Sequence, residues 1–275
     1  MSSYEFILDT MTWSFSRLTS FDQCKYGWKR HYIDCEDGEN NFAAENGLAV
    51  HQTLEEYLNG KIDPWDLPAT YDEKFNELVV HDAPANKYVD LAEKTYTECR
   101  EYFENFQGLD PKYEVLGVEL QENFQIGGYN FVGFIDVLLR NKETGEITIS
   151  DHKSHVFKFK KNGELSKADL PAFEDYKKQL YLYAVSVIEK YGHVDYLRWN
   201  LFRQQRDLVV PFKPEEFEAA KAWAVDVIER IKAEEDFPEL DAPDYYCNNL
   251  CDYREECRSR RKWEEENTDE VGGFY

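Results

Sequence analysis

Apolar residues recur at helical spacing through residues 14–32, 45–59, 88–107, 173–191 and 214–235. In 14–32, Leu18, Phe21 and Trp28 fall near one face, with Ser16 as the expected N-cap. In 45–59, Leu48, His51, Leu54 and Leu58 do the same. The helix over 214–235 opens on Pro-Glu-Glu, which suits a helix N-terminus. Between these helices the period changes. Residues 113–126 alternate as strands do, and "GGYN" predicts a turn before a strand from Phe131 to Leu139. "NKETGEI" predicts a second turn, followed by a strand from Ile147. A further strand pair is expected at 194–202 and 206–212. Helices, strands, helix, strands, helix in that order predict an α/β fold with a mixed central sheet flanked by helices. One domain is expected over 1–275: mainly helical through 1–110, the sheet core in 111–212, and a last helix with a cysteine motif in 213–275.

Composition adds bounds. A chain of 275 residues with 42% hydrophobic and 16% aromatic content can bury a substantial core. No apolar run approaches the roughly 18 residues needed to cross a membrane. The start, "MSSYEFILDT", lacks a basic region followed by an apolar one, so a soluble cytoplasmic protein without membrane partners is expected. The formal net charge of −23 argues against a broad surface for nucleic acid. It leaves room for local basic stretches, of which "KYGWKRH" (25–31), "KFKK" (158–161) and "RSRRK" (258–262) stand out. Of six cysteines, three fall in "CNNLCDYREEC" (247–257), a non-random clustering in a chain where a disulfide framework is not expected.

Candidate chemistry lies at the strand ends. In "ITISDHKS" (147–154), alternation puts Ile147, Ile149, Asp151 and Lys153 on one face. An acid and a lysine facing a core edge need a partner or a task. Asp136 interrupts the apolar strand "GFIDVLL" and is costly to bury unless it is paired or binds a cation. If the two strands pair across the intervening turn, Asp136 and Asp151 approach one another as a hard-oxygen site suited to Mg²⁺ or Mn²⁺. Lys153 beside them could orient water and stabilise charge developing on a phosphate. Gln179 and Tyr183, four apart on the helix "KKQLYLYA", share a face. Each of these residues alone has an ordinary structural reading, His51 included: a partly buried histidine with a satisfied ring.

Taken together and in order, these segments resemble the PD-(D/E)XK nuclease superfamily, in particular its RecB-like branch of CRISPR-associated and phage exonucleases with an iron–sulfur cluster. "SFSRLTSFDQCKYGWKR" looks like that branch's Ser-x-Ser-x-Leu segment with its first cysteine, and "GLAVHQTLEEY" like its histidine motif. "GFIDVLL", "ISDHKS" and "QLYLY" are similar to the aspartate, Asp-x-Lys and Gln-x-x-x-Tyr motifs, and "CNNLCDYREEC" to the terminal three-cysteine motif. The resemblance implies a restriction-endonuclease-like core whose N- and C-terminal segments are joined through a cysteine-ligated cluster. It implies that His51, Asp136, Asp151 and the carbonyl of His152 hold Mg²⁺ or Mn²⁺. Lys153 would serve the attacking water, and Gln179 and Tyr183 would position DNA or the lysine. A further upstream glutamate falls on Glu119, with Glu122 as its alternative. Cys24, Cys247, Cys251 and Cys257 would carry a [4Fe–4S] cluster, with Zn²⁺ as the alternative metal for four thiolates. Cys35 is the fallback ligand, and Cys35 and Cys99 otherwise read as ordinary thiols. Three residues separate Cys247 from Cys251 where two is the commoner spacing.

The implied activity is metal-dependent hydrolysis of phosphodiester bonds in DNA, single-stranded or with free ends, by an exonuclease in a bacterial, archaeal or phage-infected cell. A recombination or replication protein is the implied partner. Lys158, Lys160, Lys161 and the 25–31 cluster are expected to line the DNA path. The acid excess motivates a second reading, a non-catalytic nucleic-acid-binding or assembly module that keeps the fold. A third, an acidic mimic of DNA, leaves the cysteine motif unexplained.

Overall fold

Two glycines with positive φ, Gly127 at 59° and Gly128 at 87°, close the longest hairpin of the protein. Only a residue without a Cβ takes two such positions in succession at little cost, which makes Gly-Gly a natural two-residue hairpin loop. The computed structural model describes residues 4–240, 244–254 and 256–257. Strand β1 (Tyr113–Ile126) runs into that turn and β2 (Tyr129–Asn141) runs out of it. A turn ending at Gly145 leads to β3 (Ile147–Lys153), antiparallel to β2. Helix α7 (Leu170–Tyr191), closed by the left-handed Gly192, then crosses over to β4 (Tyr196–Leu201). β4 lies parallel to β3, and β5 (Arg206–Pro211) returns antiparallel. The sheet is mixed, in the order β1-β2-β3-β4-β5. This is the α/β architecture expected from the alternation of periods, with helices flanking a five-stranded sheet.

Alternation along β3 and β4 separates two environments. Ile147, Ile149, Leu197, Trp199 and Leu201 join the larger core with α7, α8 (Pro214–Ala233) and α2 (Phe15–Gln23). His152 and Asn200 face the other way: Asn200 Nδ2 donates to His152 Nδ1 (3.0 Å) and to the Tyr102 hydroxyl (2.8 Å) on α6 (Leu91–Glu104). There a second cluster forms from Ala49, Val50 and Leu54 of α4 (Phe42–Leu58), Leu67 and Tyr71 of α5 (Leu67–Leu78), and Cys99 and Phe103 of α6. α5 and the short α1 (Glu5–Thr10) carry too few buried residues to mark the sequence with a stripe: Leu67 and Tyr71 in one, Leu8 in the other.

The segment 14–32 departs from the single helix expected. It is two helices, α2 and α3 (Lys25–Tyr32), broken at Cys24, whose backbone is extended at φ −159° and ψ 109°. The Cys24 sulfur accepts the Gly27 amide (3.3 Å) and so caps α3 itself. The first cap is Ser14, which accepts from the Arg17 amide (3.2 Å); Ser16 lies inside the helix. Helix α4 starts at Phe42, capped by Asn41, and its packing face is Ala49, Val50 and Leu54. Leu48 is nearly half exposed.

Glu45 ties α4 to the chain after α5. Its buried carboxylate accepts the Val80 and His81 amides (both 3.0 Å) and meets His81 Nδ1 at 2.6 Å. Burial works against the ionised form, but the bonds to His81 and Val80 outweigh it and hold the carboxyl below its ordinary value of 4.5. Glu45→Ala is expected to cost about 2 kcal/mol at pH 7, the scale of unmaking bonds to a buried charged acceptor. Because the folded-state pKa is depressed, this stability is present above about 4.5 and is lost as pH falls through the folded value. Thermal melts of wild type and variant should therefore converge as the solution is acidified below pH 4.

Candidate active site

β1 carries an irregularity where it passes β2. Val115 pairs with Leu139 but Gly117 pairs with Leu138, so Leu116 is an extra residue, a β-bulge. Three residues on, Glu119 has φ 48°, a left-handed conformation that a non-glycine residue adopts at a cost of about 1–3 kcal/mol. The distortion lies opposite Asp136 and brings Glu119, Asp136 and His51 of α4 together. One ligand atom from each falls within 4.8 Å of the others. His51 Nδ1 lies 3.6 Å from Glu119 Oε1 and 3.7 Å from Asp136 Oδ2, and its Nε2 lies 3.2 Å from the His152 carbonyl oxygen. Asp136 is itself anchored by the His152 amide, which donates to Oδ2 at 2.6 Å.

Val137 pairs with Ser150, so Asp136 and Asp151 occupy the next facing positions. Asp151 stands beside the three-residue group and is not one of its members. It is fully engaged with the next residue on its face: Lys153 Nζ lies 3.1 Å from Oδ1 and 2.9 Å from Oδ2. Lys153 also donates to Gln179 Oε1 (2.9 Å) on α7, and Gln179 Nε2 donates to the Tyr183 hydroxyl (3.1 Å). The i,i+4 pair thus forms a relay that ends on the lysine. Between Glu119 and Glu122, only Glu119 joins the group, because its left-handed backbone re-aims the side chain.

Charge is concentrated here. Burial raises the Asp136 carboxyl, and the Asp151 charge raises it further. Burial opposes protonation of His51, but Glu119, Asp136 and Asp151 outweigh it and raise the imidazole. Lys153 follows the same pattern: burial opposes the ammonium, Asp151 and Asp136 hold it charged. Asp151 Oδ2 is buried, and its contact there is the Lys153 ammonium at 2.9 Å. An imidazole, two converging carboxylates and a neighbouring carbonyl fit a divalent cation, whose charge would compensate theirs.

The cleft over this group is about 540 Å³, walled by Ala44, Gly47, Leu48, Gln52 and Glu55 of α4 and by Lys153 and Ser154. Leu48 and His51 therefore share a face that looks into the cleft. Tyr176 on α7 was not signalled by any motif, yet its ring centroid lies 5.0 Å from Lys153 Nζ. Its position three before Gln179 and seven before Tyr183 was the available clue.

The basic stretches divide. In 25–31, Lys25 pairs with Glu234, Lys29 with Asp34 (2.6 Å), and Arg30 with Glu36 and Glu256 (both 2.5 Å). None of these residues lines the cleft. That cluster is therefore neutralised and not the exposed cationic wall expected of it. The loop after Lys153 differs. It folds on a bridge between Phe159 and Leu165, Lys160 pairs with Glu164 (3.0 Å), and Arg206 covers the Phe159 ring at 3.7 Å. Lys158, Lys161 and Lys167 are exposed, and among the described residues none of the three ammonium groups forms a salt bridge, though the Lys158 amide donates to Asp169 Oδ2 (2.9 Å). The stretch 258–262 lies outside the described residues.

Cys24, Cys247, Cys251 and Cys257 gather where the last segment meets α2 and α3. Cys24 and Cys251 line a cavity of about 90 Å³ with Gly27, Trp28, Tyr246 and Tyr253. Cys247 and Cys257 lie close enough to Cys24 for their charges to interact. The Cys251 sulfur accepts the Tyr253 amide (3.4 Å), much as Cys24 accepts Gly27. Burial pushes the Cys24 and Cys251 thiols up, and Cys247 to about 11. No cysteine is in a disulfide. Cys35 is exposed, and Cys99 is buried in α6 with Asn46. The last segment is docked by main-chain bonds such as Glu39 N–H to Asp252 O (2.9 Å) and by Arg30 over the Tyr253 ring at 4.3 Å. Four neighbouring thiols, Cys247 and Cys251 buried and Cys24 and Cys257 partly so, with N–H···S bonds at Cys24 and Cys251, fit a thiolate-bound metal group.

No helix of the described residues is long and apolar enough to cross a membrane. No curated protein matches the chain significantly. Among solved structures, a candidate exonuclease from Eubacterium rectale aligns over 94% of this chain and 90% of its own, at 13% identity and a TM-score of 0.47. A sequence profile of the PD-(D/E)XK nuclease superfamily matches residues 12–258, a span that includes every strand, the carboxylate group, Lys153 and all four clustered cysteines. The chain belongs to the PD-(D/E)XK nuclease superfamily.

Proposed function

We propose that this protein is a divalent-metal-dependent deoxyribonuclease, an exonuclease of the RecB-like kind, that hydrolyses phosphodiester bonds and carries a [4Fe–4S] cluster on Cys24, Cys247, Cys251 and Cys257. The observation that carries the reading is the convergence of His51, Glu119 and Asp136 within 4.8 Å of one another. Beside them stands Lys153, an ammonium fixed by Asp151 and Gln179.

His51, Glu119 and Asp136 would hold the cation, with the His152 carbonyl and Asp151 alongside. When bound, it supplies Lewis acidity toward a phosphoryl oxygen and compensates the phosphate's charge. One imidazole with two carboxylates suits Mn²⁺ better than Mg²⁺, which prefers oxygen alone. The chain's own residues do the rest. Lys153, held charged, is no base. It directs N–H toward the phosphate and the incoming water and stabilises negative charge on the phosphoryl group as the P–O bond breaks. Gln179 and Tyr183 fix its direction, and the His152 amide fixes Asp136.

The free lysines of the loop after β3 supply the phosphate contacts that the acid-rich surface otherwise lacks. Changing Lys158, Lys161 and Lys167 together to Gln is expected to weaken DNA binding. The slope of log K against log salt should flatten by about 0.7–0.9 for each lysine that meets a phosphate. Filter-binding titrations at several salt concentrations check this.

For the cysteines, a zinc site would need sulfurs about 3.8 Å apart, from tetrahedral geometry at about 2.3 Å per bond. The likeness of the terminal motif to the iron–sulfur branch favours the cubane over zinc. Tests are direct: end-labelled DNA with Mn²⁺ or Mg²⁺, and an absorption spectrum of anaerobically purified protein. Absence of degradation by cluster-loaded protein overturns the nuclease reading. It would favour the non-catalytic module, for which the charge of −23 speaks. A colourless protein containing zinc overturns the cluster.

A further inference from the structure

We propose that Tyr176 is a positioning residue for Lys153, its ring capping the ammonium so that one direction is left for substrate; this rests on the nuclease reading above. Lys153 Nζ meets the Asp151 carboxylate from one side (Oδ1 3.1 Å, Oδ2 2.9 Å), its two oxygens sharing one N–H, and donates a second to Gln179 Oε1 (2.9 Å). The Tyr176 ring stands 5.0 Å away, within the range where a π face attracts a cation. With that side closed by an aromatic surface, water is kept from it, and the remaining N–H is free for the cleft that Lys153 lines.

The ring is itself held. Phe157 meets it edge-on at 5.7 Å and 78°, and His155 at 5.9 Å and 84°; His155 and Phe157 touch each other at 4.4 Å. Phe157 is fixed in turn by the Gln204 side chain, which accepts its amide (2.9 Å) and donates to its carbonyl (2.8 Å). A continuous set of contacts therefore runs from the 202–204 turn after β4, through the loop following β3, to the lysine. Tyr176 also shares its helical stripe with Gln179 and Tyr183, so one face of α7 supplies three of the groups that orient Lys153. Such locking matters because an Å of misplacement at a reacting group costs about 10²-fold in rate.

The test compares Tyr176→Leu with Tyr176→Phe. Leucine removes the π face; phenylalanine keeps it and removes the hydroxyl. Tyr176→Leu is expected to lower kcat by about 10- to 100-fold, with KM little changed, because it misplaces a group that acts on the transition state. Tyr176→Phe should restore kcat to near the wild-type value. A second readout needs no activity: reductive methylation of Lys153, followed by peptide mass spectrometry. It should be slow in wild type and Tyr176→Phe and several-fold faster in folded Tyr176→Leu. Equal kcat in wild type and Tyr176→Leu, equal loss in both variants, or a change confined to KM overturns the proposal. So does equal labelling of Lys153 in all three proteins. If wild type cuts no DNA, the nuclease reading fails, and the labelling result still decides whether the ring shields the ammonium.

Discussion

Replacing Lys153 with alanine is expected to reduce kcat by about 10²–10³-fold, the usual loss when one fixed donor to the transition state is removed. DNA binding should fall much less, since in the proposed reading the loop after β3 would supply the phosphate contacts. The variant also bears on stability. Asp151 is 2% exposed, and Lys153 is the cation paired with it. Removing one partner of a buried pair leaves an uncompensated charge and costs about 3–5 kcal/mol unless the survivor takes up a proton. Asp136 nearby makes the remaining charge less tolerable still. The clean comparison adds Asp151→Asn. The double variant Asp151→Asn/Lys153→Ala should recover most of the stability of wild type and none of its activity. The recovered stability would assign the cost of Lys153→Ala to the uncompensated Asp151 charge; since Asp151 itself lies at the site, the chemical role of the lysine is decided by the folded single variant. Hydrolysis undiminished in folded Lys153→Ala sinks the assignment.

How far the site could be read in advance depended on the period of the element that carries it. Asp151 and Lys153 sit on β3, where period-2 alternation is regular and a short turn sets the register against β2. Gln179 and Tyr183 sit on an uninterrupted helix, where four apart means one face. Glu119 and Glu122 could not be separated by the same logic. A bulge at Leu116 and a left-handed residue at 119 break the alternation of β1; Gly117 is a faint sign of the first, and nothing in the sequence announces the second. The break at Cys24 was hidden for a similar reason: a thiol, an unusual cap, ends one helix and starts the next. The 25–31 cluster misled because its partners are remote in sequence. Glu234 and Glu256 neutralise Lys25 and Arg30 from more than 200 residues away. Runs of charge show where cations are, and only the fold shows which remain unpaired.

Glu119→Gly should make the metal-free protein more stable while removing its activity. Three terms set the sign. The left-handed backbone at φ 48° stores about 1–3 kcal/mol with a side chain present, and glycine releases it. Glycine gives back about 0.5–1 kcal/mol through the greater freedom of its unfolded chain. Removing a carboxylate from beside Asp136 relieves like-charge crowding, though it also takes a counter-charge from His51. The balance is a gain of about 1 kcal/mol, a rise of about 2 °C in Tm for a chain of this size. Activity should fall by at least about 10²-fold, since even outer-shell partners of a metal ligand are worth 10–100-fold. Glu119→Ala supplies the contrast: it loses the same carboxylate but keeps the strained Cβ. Its activity should match Glu119→Gly, and its Tm should lie below it. Equal Tm for the two variants would mean that position 119 stores no strain. Retained Mn²⁺-dependent cleavage in either would mean that Glu119 holds no cation. The expected pattern, a stabler but inert glycine variant, would mark this stretch of β1 as backbone bent at a cost in stability so that a third ligand reaches His51 and Asp136.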